Sequence, residues 1–66
     1  MKSRQVLHIC AEGREFICKF FPGKDKPYIL YHRSYVPTDH GIRERNTIWS
    51  KHLTFGQVIT ELALIF

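Results

Sequence analysis

The chain has 66 residues and a formal charge of +4, and 44% of its residues are apolar. This apolar content and modest net charge are typical of a folded domain and exclude a disordered tail. The length excludes a second domain and most self-contained enzyme folds, so we expect one small domain over residues 1–66.

No segment approaches the ~20 consecutive apolar residues of a membrane span, so we expect no membrane partner. Cys10 and Cys18 are the two cysteines, and the short apolar run after Met1 is interrupted by His8. This start does not resemble a signal peptide. We therefore expect reduced thiols and a cytoplasmic protein.

The first predicted element is a β-hairpin over residues 5–21. Two β-prone runs flank Glu12-Gly13, and glycine tolerates the positive φ of a tight turn. With Glu12 and Gly13 as a two-residue loop, one face is uniformly apolar and the other is mixed. The same register places Cys10 and Cys18 on opposite faces, where no disulfide can join them. The apolar face carries Leu7, Ile9, Phe16, Cys18 and Phe20.

A second pair of strands follows. Two prolines and a glycine predict a loop over residues 22–27. Tyrosines and branched residues predict a third strand over residues 28–36, and residues 37–41 form the next turn. A more polar fourth strand over residues 42–49 suits a sheet edge.

The last element is a helix from Phe55 to the end of the sequence. Thr54 is a good N-cap, and Gln57 completes a capping box. Leu53 and Val58 are spaced for a hydrophobic staple. No lysine or glycine follows in the last turn, which we expect to fray. The apolar stripe consists of Phe55, Val58, Ile59, Leu62, Ile65 and Phe66.

Together these elements predict an α+β fold of the order ββββα. Two hairpins form a four-stranded antiparallel sheet, and the C-terminal helix packs on one face.

Metal binding and catalysis are both poorly supported by the sequence. His8 and Cys10 share a strand face, and His32 joins them if the third strand lies beside the first, but the close ligand pairs of structural zinc sites are missing. Both cysteines lie within strands, and Ser34 and Asp39 belong to no recognisable triad. We therefore expect no metal, no cofactor, no small-molecule substrate and no enzymatic activity.

The third and fourth strands carry the most suggestive pattern. Tyrosine and arginine alternate along one face of strand three, and arginine, threonine and tryptophan along one face of strand four. If the two faces coincide, cationic groups and flat rings share one surface, as in proteins that bind DNA or RNA. The same residues are also ordinary on a solvated sheet face. The candidate nucleic-acid-binding residues are Tyr31, Arg33, Tyr35, Arg43, Arg45 and Trp49, with Lys19 extending them.

An alternative function is protein interaction. Ala63 and Leu64 lie off the apolar stripe, so the helix is apolar over most of its surface. One sheet covers only one side of a helix, and a second copy of the chain would cover the other. The alternative prediction is a homodimer or an inhibitor of another protein, in which the second chain also relieves the shortage of core.

Overall fold

In the computed structural model, which describes residues 2–66, four antiparallel strands precede one helix. Each strand pairs with the next along the chain, so the sheet has the order β1-β2-β3-β4. The predicted ββββα architecture is confirmed. The elements are β1 Arg4–Ala11, β2 Arg14–Phe20, β3 Tyr28–Thr38, β4 Gly41–Leu53 and α1 Phe55–Ile65.

The β1–β2 turn has the predicted two-residue form. Glu12 and Gly13 both have positive φ, 54° and 74°, as a type I′ turn requires. This turn fixes the register, and Leu7 faces Cys18 while Ile9 faces Phe16. The apolar face of the hairpin therefore forms as the sequence predicts.

The second hairpin is longer than predicted. β3 continues past residue 36 to Thr38, β4 begins at Gly41, and the turn between them shrinks to Asp39 and His40. The last β2–β3 pair joins Glu15 to Arg33. Residues 34–38 and 41–45 therefore project beyond β2 as a two-stranded ribbon, which we call the arm.

The helix begins with the predicted capping box. The Gln57 amide donates to Thr54 Oγ1 at 3.2 Å, and the Thr54 amide donates back to Gln57 Oε1 at 2.9 Å. Two amide groups that the first helical turn leaves unpaired are thus satisfied. Leu53 and Val58, on either side of the cap, are both buried in the core.

The C-terminal end of α1 receives a cation from another element. Arg14, at the start of β2, donates from Nη1 to the carbonyl oxygen of Ile65 at 3.1 Å. A cation at this end stabilises the unpaired carbonyl groups and the helix dipole. The sequence of the helix predicts a frayed last turn because it supplies no such cation, but Arg14 provides one across the fold.

A small core lies between α1 and the sheet. Val58 and Leu62 of the helix pack against side chains from β2, β3 and the end of β4. The buried members of this cluster are Phe16, Cys18, Leu30, Leu53, Val58 and Leu62.

Substitution of a core leucine tests this packing. We expect Leu30→Ala to lower the free energy of unfolding by about 2–5 kcal/mol, because Leu30 is fully buried and the cavity would not close. Leu64→Ala is the matched control, since 79% of Leu64 is exposed, and it should change stability by less than about 0.5 kcal/mol. Urea unfolding followed by circular dichroism measures both. Equal losses in the two variants would contradict this packing.

Candidate functional site

The sheet has two faces, and the predicted site residues divide between them. Tyr31 and Arg33 of β3 lie opposite Ile17 and Glu15 of β2 in register, on the face away from the helix. Lys19 belongs to the same face, and its Nζ lies 5.4 Å from the centre of the Tyr31 ring. This face therefore brings together part of the predicted set: Lys19, Tyr31, Arg33 and Tyr35.

The predicted residues of β4 lie on the other face. In register, Arg43 faces Val36 and Arg45 faces Ser34, whereas Tyr35 faces Glu44. Paired residues of neighbouring strands share a face, so Arg43 and Arg45 lie on the helix side of the sheet. The condition on which the candidate surface depends, that the two stripes lie on one face, is therefore not met. The two-residue turn sets a pairing that puts the arginines of β4 opposite the stripe of β3.

Trp49 also lies on the helix side, in an aromatic cluster. Its ring meets the Phe16 ring edge-on at a centroid distance of 5.2 Å and lies 5.8 Å from His32. Phe16 also contacts Phe66 at 5.8 Å. Such contacts stabilise beyond the area that they bury, so Trp49 has a structural role at the end of the core.

Arg33 is engaged in ion pairs on the face away from the helix. Its Nη1 lies 2.8 Å from Glu44 Oε1 and 3.5 Å from Glu15 Oε2, and its Nε donates to Asn46 Oδ1 at 3.1 Å. A guanidinium held by two carboxylates has little charge left for a phosphate. One guanidinium between two carboxylates leaves the β3 stripe without net positive charge around Arg33.

Glu15 is the centre of this network. It accepts hydrogen bonds from the Tyr35 hydroxyl at 2.6 Å, from His8 Nε2 and from Arg33. The bonds from Tyr35 and His8, with the charge of Arg33, hold the pKa of Glu15 below its ordinary value of 4.5. The bond to the Glu15 carboxylate in turn raises the pKa of Tyr35 above 10.

Residues weighed for metal binding or catalysis are kept apart. β2 separates β3 from β1. In register, His32 lies on the helix side with Phe16, whereas His8 and Cys10 lie on the opposite face with Ile17 and Glu15. Within residues 2–66, no three histidine, cysteine or acidic side chains are grouped as metal ligands. Burial raises the pKa of the Cys18 thiol, which disfavours the thiolate that a nucleophile needs.

One end of the sheet gathers most of the basic residues. The first residues of β1 and β3 lie beside the last residues of β2 and β4. In register, Arg4 pairs with Phe20, Phe20 with Tyr28, and Tyr28 with Leu53. The loop of residues 21–27 lies there too, and within residues 2–66 the acidic residues at this end are Asp25 and Glu61, which accepts a hydrogen bond from Ser50 beside Lys51. Here we find six of the ten basic residues, and we call this region the basic end: Lys2, Arg4, Lys19, Lys24, Lys26 and Lys51.

Aromatic rings lie among these cations. Arg4 lies 5.3 Å from the centre of the Phe20 ring, which lies 5.3 Å from Tyr28, which lies 5.6 Å from Phe55. Phe55 begins the helix, and 55% of it is exposed. The first helical turn holds no acidic residue, so the partial positive charge of the helix N-terminus adds to the basic end.

Sequence patterns within single strands did not reveal the basic end. Its residues come from four separate segments, and only their pairing brings them together. The sequence signal for the basic end is the Lys24-Asp25-Lys26 loop. It points to this region only when each strand is known to pair with the next one along the chain.

The chain gives no significant match to any family model, to any curated protein or to any solved structure with which it was compared. Across the described residues, no helix has the length and apolar character required to cross a membrane.

Neutralising Glu15 tests the network through its pH dependence. The unfolded chain binds a proton on Glu15 near pH 4.5 and the folded chain only at lower pH, so stability falls as the pH drops through this window. We expect Glu15→Gln to have a lower melting temperature than the wild-type chain at pH 7. The gap should be lost as the pH falls through the lowered pKa of Glu15.

Glu12→Gln is the matched control, because it removes the same charge from an exposed turn residue that forms no ion pair within residues 2–66. Its melting temperature should stay close to that of the wild-type chain at each pH. A Glu15→Gln gap that persists unchanged below the pKa of Glu15 would contradict the network.

Proposed function

We propose that this chain is a non-enzymatic module that binds nucleic acid through its basic end. The observation that carries the proposal is the segregation of charge. Six of the ten lysines and arginines lie at the basic end with two acidic residues, while four basic and four acidic residues occupy the rest of the chain. The net positive charge is therefore local, as in proteins that track phosphates.

The basic side chains there are available to a ligand. Lys24 and Lys26 are exposed on the loop between β2 and β3, and no ion pair involves them in the described part of the chain. Arg33, by contrast, is held by Glu15 and Glu44. Lysines that neutralise phosphates release condensed counterions, which supports binding that weakens with salt.

The rings of the basic end favour unpaired bases. Phe55 is an exposed phenylalanine next to Tyr28, within the same region as the loop lysines. Every base offers a flat face for stacking, but a duplex hides these faces within its own stack. We therefore expect single-stranded oligonucleotides to bind more tightly than duplexes.

Both cysteines are free thiols, which fits the proposed cytoplasmic setting.

A paired substitution tests the location of this site. We expect Lys24→Ala with Lys26→Ala to weaken binding of a labelled single-stranded oligonucleotide. The slope of log affinity against log salt should become shallower by about 1.4, because two phosphate contacts are lost at about 0.7 each. Fluorescence anisotropy at several salt concentrations measures both quantities.

Arg43→Ala with Arg45→Ala is the matched control. It removes the same charge from exposed positions on the arm, at the other end of the sheet, and should leave the affinity and the salt slope nearly unchanged. If the arm variant lost binding and the loop variant did not, the basic end would be the wrong site. If the wild-type chain bound neither single strands nor duplexes at low salt, the proposed function would be wrong.

A further inference from the structure

The helix leaves part of its sheet face uncovered. Glu61 accepts a hydrogen bond from Ser50 of β4 at 2.9 Å, so this flank of α1 is turned towards β4. The opposite flank carries Ile59 and Phe66, which helical periodicity places on one side, and Phe66 contacts Phe16 of β2. This flank is turned towards β2 and β1.

An apolar shelf results between α1 and the edge strand β1. Leu7 and Ile9 pack against the core but are only half-buried, because α1 is the one helix within residues 2–66 and leaves β1 partly uncovered. Beside them, 49% of Ile59 and 41% of Phe66 are exposed. We define the apolar shelf as Leu7, Ile9, Ile59 and Phe66.

The chain also exposes more surface than its mass predicts. A monomer of 7.8 kDa is expected to expose about 4,400 Å², whereas this chain exposes 4977 Å². The excess of about 600 Å² belongs to the whole chain and is smaller than the ~800 Å² that each partner buries in a standard interface. The arm, the sheet face away from the helix and the shelf all contribute to this excess, and of the three the shelf is the one without a charged residue.

We infer that the apolar shelf is the interface of a homodimer in which two α1 helices lie antiparallel. A two-fold contact presents the same patch from both chains, so an uncharged apolar patch is complementary to itself. Each chain carries +4, and copies of equal charge approach most favourably along uncharged residues such as those of the shelf, with Arg14 beside Phe66 as the cation at its margin. Within α1, Glu61 is the only charged residue, and it lies on the flank away from the shelf.

The antiparallel arrangement also separates the basic ends. The N-terminus of α1 lies at the basic end, and Phe66 follows the other end of the helix. Two antiparallel helices therefore place the two basic ends at opposite ends of the dimer, where their repulsion is weakest. The second copy also extends a core that has few buried residues in the monomer, which is the common remedy in small domains.

Sedimentation equilibrium over about 1–100 μM chain tests the dimer. Protein interfaces of standard size have dissociation constants in the micromolar range or lower, so a dimer should form within these concentrations. We expect the wild-type chain to reach twice 7.8 kDa within this range. Ile59→Glu should stay at 7.8 kDa, because the dimer would bury two unpaired carboxylates. Leu64→Glu, an equal change at an exposed residue outside the shelf, should dimerise like the wild-type chain.

Circular dichroism of both variants checks that the monomer remains folded, and Phe66→Ala provides a second shelf variant without a new charge. A wild-type chain that stays at 7.8 kDa at the highest concentration would overturn the proposal and leave the shelf to another protein. Equal loss of dimer in Ile59→Glu and Leu64→Glu would overturn the assignment to the shelf. Both results are independent of nucleic-acid binding.

Discussion

The packing of a single helix against a four-stranded sheet is the constraint on which the rest of this structure depends. Val58 and Leu62 bury Leu30 and Cys18, but one helix is too narrow to cover all four strands. The capping box at Thr54 sets where α1 begins, and the guanidinium of Arg14 joins its last turn to β2. What the helix leaves uncovered becomes surface, and this surface includes the shelf beside β1 and the projecting arm.

The face away from the helix is organised by polar contacts. Glu15 accepts hydrogen bonds from His8, Arg33 and Tyr35, and Glu44 forms a second ion pair with Arg33. Ile17 is nevertheless fully buried on this face, because the large side chains of its neighbours in register cover it. A network of this kind stabilises an exposed sheet face and neutralises Arg33, so the arginine of this face adds no net positive charge to it.

Local sequence patterns predicted what depends on nearby residues. The Glu12-Gly13 turn, the alternation of the first hairpin and the Thr54 capping box each follow from residues a few positions apart, and the structure has all three. The face of Arg43 depended instead on the length of one turn. A turn of five residues leaves the pairing open, whereas the two-residue turn fixes it and separates Arg43 from Tyr31. The basic end depends on strand order, which no local pattern contains.

The most direct measurement of the central claim, that charge segregation creates a nucleic-acid site at the basic end, is a backbone amide NMR titration with a short single-stranded oligonucleotide. The account predicts that the largest chemical-shift changes fall on residues 19–27, on Lys51 and on the start of α1. The amides around Arg43 and Arg45 should remain nearly unchanged. Changes concentrated on the arm, or no changes at low salt, would contradict it.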